Sequence, residues 1–162
     1  MIIRPLVGFG LSLGLNLGVV GRAGPVLAAT TIGGNPDATV SSSINDDLFT
    51  AGQTISVTAP INGELFIAGE TVSINSPPER SLFAAGLTVN ALSGAGYNAF
   101  AAGQTVTLSG EYGHDVYAVG ETVIVEPGAE IRGSLYLAGG KLTIHGTIDG
   151  QVRAFGQSVT SD

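Results

Sequence analysis

Apolar and polar positions alternate along this chain in short strand-like stretches, and the stretches recur. The first reads Asp47-Leu48-Phe49-Thr50-Ala51-Gly52-Gln53-Thr54-Ile55-Ser56-Val57, and six further copies follow, with glycines at Gly69, Gly86, Gly103, Gly120, Gly139 and Gly156. These glycines recur at one constant interval, and only the step from Gly120 to Gly139 is longer, by two. Numbered from Asp47, position two reads Leu48, Leu65, Leu82, Ala99, Val116, Leu135 and Val152. Position nine reads Ile55, Val72, Val89, Val106, Val123, Leu142 and Val159, and position eleven Val57, Ile74, Ala91, Leu108, Val125, Ile144 and Ser161. Ile61, Ile131 and Ile148 add apolar bulk near the end of the unit. Apolar residues two apart mark a half-buried strand. The Ala-Gly pair between positions four and eight resets that parity, as a corner would, and glycine tolerates the backbone conformations that tight corners need.

A fixed period of about 17 residues signals a stacked-coil architecture. Two or three short strands with corners, closed within one such period, make one turn of a β-solenoid, and each coil buries its apolar side only against its neighbours. The expected fold is all-β: a single-stranded β-helix of about seven coils over residues 47–162, roughly 33 Å long at strand spacing. Helix is disfavoured by the spacing of two, the dense glycines and the β-branched residues. Pro77-Pro78 and Glu126-Pro127-Gly128 fall at unit ends, as does the two-residue excess between Gly120 and Gly139.

Stacking turns columns of the repeat into ladders. Position three gives Phe49, Phe66, Phe83, Phe100, Tyr117, Tyr136 and Arg153; position eight gives Thr54, Thr71, Thr88, Thr105, Thr122, Lys141 and Ser158. Like residues stacked coil on coil stabilise such a rod. The arginine places the aromatic column at the surface; the opposite parity would make the aromatics core and put the leucines outside.

The segments before the repeats differ in kind. Residues 1–29 read as a secretory signal: Arg4 supplies a positive start, Leu6 to Val20 an apolar run, and Val26-Leu27-Ala28-Ala29 small residues suited to cleavage after Ala28 or Ala29. A retained membrane anchor is the alternative, but the run is short for a span of about 20 residues. Residues 30–46 are polar and small and read as a linker, with Thr39-Val40 a candidate strand fragment. The expected location is therefore secreted, periplasmic or at the cell envelope.

Composition narrows the function. From Thr30 onward four basic residues face 13 acidic ones, a formal charge of −9. That sign argues against nucleic acid and against anionic lipid as partners. Cysteine is absent, which removes disulfide and thiolate chemistry. His114 and His145 stand far apart in the chain, without acidic ligands at metal spacing, so no metal and no other cofactor is expected. Asp46, Asp47, Glu64, Glu70 and Glu121 raise the idea of a carboxylate pair for glycoside cleavage, but they fall in polar columns rather than a pocket. The basic clusters of pectin-cleaving β-helices and the six-residue period of hexapeptide acyltransferases are missing. Gly94-Ala95-Gly96 does not lead from strand into helix, so it makes no phosphate loop.

The unit Asp115-Val116-Tyr117-Ala118-Val119-Gly120-Glu121-Thr122-Val123-Ile124-Val125, with the Glu126-Pro127-Gly128-Ala129-Glu130-Ile131-Arg132-Gly133 that follows it, resembles the bactofilins. So does the run from Ala138 to Gly150. The resemblance covers residues 47–162 and implies a right-handed β-helix that polymerises end to end without nucleotide. Members of that family are usually cytoplasmic, whereas this chain opens on an export signal.

The reading is a non-enzymatic structural protein whose partner is itself, with cell-wall or envelope components as further candidates. The three residues after Val159 are too few for a solenoid cap, so Leu48 and Val57 at one end, and Val152 and Val159 at the other, are expected as polymer contacts. The acidic balance opposes lateral clumping and favours the ends. The alternative is a secreted module that binds carbohydrate or ice through the aromatic or threonine column. Asn90, Ile124 and Lys141 interrupt the threonine rows, and threonine suits outward strand positions in any case.

Overall fold

The computed structural model describes residues 29–32 and 36–161 of the chain. The expected leader therefore lies, apart from Ala29, outside the described residues. Every element among them is a strand: β1 (Ala29–Ile32), β2 (Asp37–Val40), β3 (Leu48–Val57), β4 (Leu65–Ile74), β5 (Leu82–Ala91), β6 (Gly94–Ala95), β7 (Ala99–Tyr112), β8 (Val116–Ile131), β9 (Leu135–Ile144), β10 (Thr147–Ile148) and β11 (Val152–Ser161). All pair in parallel in one sheet, in the order β1-β3-β4-β5-β7-β8-β9-β11, with β2, β6 and β10 attached beside it. Each long strand is one coil of a β-solenoid, laid on the equivalent residues of the coil before it. Leu48 pairs with Leu65, Phe49 with Phe66 and Gly52 with Gly69, and the same correspondence continues to β11.

The core runs along the rod axis. Positions two, nine and eleven point inward: Leu65, Leu82, Val89, Val106, Val123 and Leu142 are all fully buried. Position four is a further inward column that the repeat did not disclose, with Ile67, Ala84, Ala101, Ala118 and Leu137 buried. The column that begins at position fifteen closes the core through Ile61, Pro78, Ala95, Tyr112 and Ile131. Tyr112 is the bulkiest fully buried side chain, it pairs with Ala95, and its hydroxyl donates to the Ala91 carbonyl at 3.0 Å. Burial pushes its phenol well above the ordinary tyrosine range.

The two-residue excess lies at a corner, as expected. Between β7 and β8 the register passes from Leu108↔Val125 to Gly110↔Ala129, so Glu126-Pro127-Gly128 bulge out opposite Ser109. The strands on either side keep their pairing.

The repeating glycine has a different cause from the expected one. None of Gly52, Gly69, Gly86, Gly103, Gly120, Gly139 and Gly156 has a positive φ; among the described residues only Gly94 and Gly110 do, both at 83°. A Cβ on Gly86 would instead lie 2.5 Å from the carbonyl oxygen of Gly69, and one on Gly103 would lie 2.7 Å from that of Gly86. Gly69, Gly86, Gly103, Gly120 and Gly139 each make room for the backbone carbonyl of the coil beneath.

The segment expected as a linker is a coil in its own right. β2 pairs with β3 through Asp37↔Thr54 to Val40↔Val57, β1 pairs with its first half, and Ile44 bridges to Ile61. Pro36 accepts hydrogen bonds from the backbone N–H groups of Gln53 and Thr54, at 2.9 and 2.7 Å. Polar residues form this coil because its outward positions carry them, while Val40 and Ile44 pack against the core.

Candidate functional site

Strand alternation sends positions three and five to the same outer face. Position three builds a continuous aromatic ladder. The rings of Phe49, Phe66, Phe83, Phe100, Tyr117 and Tyr136 stack with centroids 4.4–4.9 Å apart and planes within 2–4° of parallel. The spacing is that of the strands, so ring geometry follows directly from coil geometry. The exposed edges of Phe49 and Phe100 settle the parity in favour of aromatics outside and leucines inside. The Tyr117 phenol is raised, by desolvation first and then by Asp115 and Tyr136.

Beside this ridge, position five is small: Ala51, Ala68, Ala85 and Ala102, with Val119 next in line. Ridge and alanines together border a groove of about 580 Å³ along the rod, lined by Phe49, Ala68, Phe83, Ala85, Phe100 and their column mates, with no charged side chain. A second, smaller hollow continues it past Tyr136 to Arg153 and Phe155. The alanine column was the missed half of the site. Its signal was present, because an alanine two residues after each phenylalanine shares its face in a strand.

The ring faces in this ladder are turned to one another. Sugars stack on ring faces, so the inner rings offer a carbohydrate only their edges. The threonine column is also in register, from Thr54↔Thr71 through Thr88 and Thr105 to Thr122↔Lys141, with Thr54 exposed and the others half-buried.

The expected end contacts divide into two groups. Leu48 and Val57 are interior, 1% and 0% exposed, because β1 and β2 lie on β3 over them; their assignment to an open end is corrected. Val40 and Ile44 take that place, half-buried against the core. Val152 and Val159 are each 48% exposed, whereas their column mates Leu135 and Leu142 are fully buried. Phe155, at 74%, is the most exposed large apolar residue among the described ones.

The acidic residues serve the corners and ladders. Asp47 Oδ1 accepts from the Glu64 backbone N–H at 2.8 Å, and Asp115 Oδ1 from that of Ser134 at 2.7 Å. The Gln53 side chain donates to Glu70, and that of Gln104 to Glu121, both at 3.1 Å. The His114 ring lies against Tyr97 with centroids 4.8 Å apart, and its Nδ1 is 3.0 Å from Asn98 Oδ1. No group of three or more metal-ligating side chains occurs among the described residues.

No family model, curated protein or solved structure matches the chain.

Proposed function

We propose that this chain is a non-enzymatic structural protein that associates with itself end to end, forming polymers at the cell envelope or outside the cell. The observation that carries this reading is the parallel, in-register stacking of like coils from β3 to β11, a pairing that a coil of a second copy can continue. Val152 and Val159 occupy columns that are fully buried one coil earlier, and β11 is paired only with β9 among the described residues. A parallel strand edge is a template for another strand. The coil of β1 and β2 in a second copy is such a strand pair, since it already lies on β3 by the same parallel pairing. Unlike ends that meet in this way propagate a filament, whereas like ends would close a dimer. The likeness of the repeat unit to the bactofilins points to the same behaviour.

Electron microscopy and sedimentation of the full-length chain test the proposal. Filaments are expected, and Val159→Lys is expected to shorten them while circular dichroism stays unchanged. A chain that remains monomeric at high concentration and high salt would refute it. The site of action is tested separately by expression in a secreting host. Cleavage after Ala28 or Ala29 is expected there, and recovery from the cytoplasm with Met1 intact would argue for a different location.

A further inference from the structure

The aromatic ridge and the alanine trough lie side by side on one face and share one axial period. That combination constrains what can cover them. An occupant matched to the trough coil by coil presents bulk every 4.4–4.9 Å over the coils from β3 to β7. The ridge of another copy of this chain does so by construction.

We propose that two rods pair laterally through this face, the aromatic ridge of each seated in the alanine trough of the other. The geometry selects the orientation. A two-fold axis parallel to the rods carries ridge over trough, so that Phe66 of one copy meets Ala68 of the second. A two-fold axis across the rods brings ridge against ridge and leaves the troughs empty. The pair is therefore parallel, and a parallel pair is compatible with extension at its ends.

Exposure and charge both fit. Phe49, Phe100, Val119 and Phe155, four of the nine exposed large apolar residues, belong to columns three and five. Contiguous apolar strips of this kind mark interaction surfaces. From β3 to β8 the strip carries no charged side chain, so the acidic balance of the rod does not act within that stretch. Asp47, Glu64, Glu70 and Glu121 flank it, and their mutual repulsion across the pair weakens with salt. Association through this face therefore rises with ionic strength. Val119 stands in the alanine column of β8, where the main groove meets the smaller hollow.

The chain has no cysteine, which makes a cross-linking test clean. Full-length Phe66→Cys and Ala68→Cys chains are mixed and treated with a short bis-maleimide. The mixture is expected to give cross-linked dimer at least tenfold faster than either variant alone, and faster still at high salt. End-to-end contacts do not bring these two positions together. Adding Ala85→Lys, an exposed trough position, is expected to abolish the product, while Asn90→Lys in the same strand leaves it unchanged. Circular dichroism confirms the fold of each variant, and sedimentation of Ala85→Lys against the parent gives the same answer without a substituted ridge. Equal cross-linking in all mixtures, or no effect of Ala85→Lys, would overturn the proposal. A laterally single rod whose groove takes up a long-chain fatty acid would also overturn it, in favour of a small apolar ligand.

Discussion

The guanidinium of Arg153 lies 5.9 Å from the centre of the Tyr136 ring and closes the aromatic ladder at its last coil. The two kinds of contact along this column should differ in strength. Phe83 is stacked on both sides, by Phe66 and Phe100, and Phe83→Ala should cost about 2 kcal/mol, from two lost ring pairs and some lost apolar burial. Arg153→Ala should cost no more than about 1 kcal/mol, as exposed cation–π contacts do. Denaturant midpoints of the two variants give the comparison, and equal losses would show that ring stacking adds nothing beyond area.

Val106 lies in the shared core between Val89 and Val123, with no solvent exposure. Val106→Asp places a carboxylate there without a partner and should cost more than about 4 kcal/mol, enough to unfold the chain. The neighbouring Thr105→Ser should shift stability by less than about 0.5 kcal/mol, as surface changes do. Circular dichroism at 25 °C separates the two, and a folded Val106→Asp rod would contradict the placement of the core.

The glycine column makes a prediction that the usual view of glycine does not. Gly86→Ala should destabilise by about 2 kcal/mol or more, because its Cβ would press on the Gly69 carbonyl and force neighbouring coils apart. Gly128→Ala, whose nearest contact is Ser109 Oγ at 3.7 Å, should be tolerated. Thermal melts of both decide the matter. Similar losses at both sites would mean that backbone freedom, rather than coil contact, explains the repeat.

Tyr112 makes stability depend on alkaline pH. Its phenol ionises near pH 10 in the unfolded chain and well above that when folded. The folded state thus holds the proton longer, so the contribution is complete below pH 10 and is lost as pH rises beyond it. The expected slope is about 1.4 kcal/mol per pH unit, one proton's worth. Unfolding curves from pH 9 to 11.5 should show this decline in the native chain and a flatter one in Tyr112→Phe. That variant also loses the hydrogen bond to Ala91, at about 1 kcal/mol near neutral pH.

The period, the strands and the inward leucines were legible because each depends on a regular local pattern. So was the outward aromatic column, once Arg153 was taken as a sign of solvent. The coil built from β1, β2 and Ile44 was not, because it lacks the Phe and Ala-Gly signature. Val40, Ile44 and Asn45 nonetheless stand one full period before Val57, Ile61 and Asn62, and the Asn62 side chain donates to Asn45 at 2.8 Å. The role of the glycines was beyond reach for another reason. The atom that excludes a side chain at Gly86 belongs to Gly69, and sequence does not state how near two coils lie. The alanine trough acquires meaning only next to a ridge whose height the stacking fixes.

Near-identical coils carry a hazard during folding. A strand that skipped one coil would still set Phe on Phe, Thr on Thr and Leu on Leu, and would lose little locally. Tyr112 breaks that degeneracy. It fits against Ala95 and reaches Ala91, while a skipped coil would offer it Pro78 and Ile74 instead. The three-residue bulge after Val125 marks a second unique level. Two irregularities in an otherwise repetitive rod thus act as addresses, telling each turn which neighbour is its own and penalising misthreaded stacks before they set.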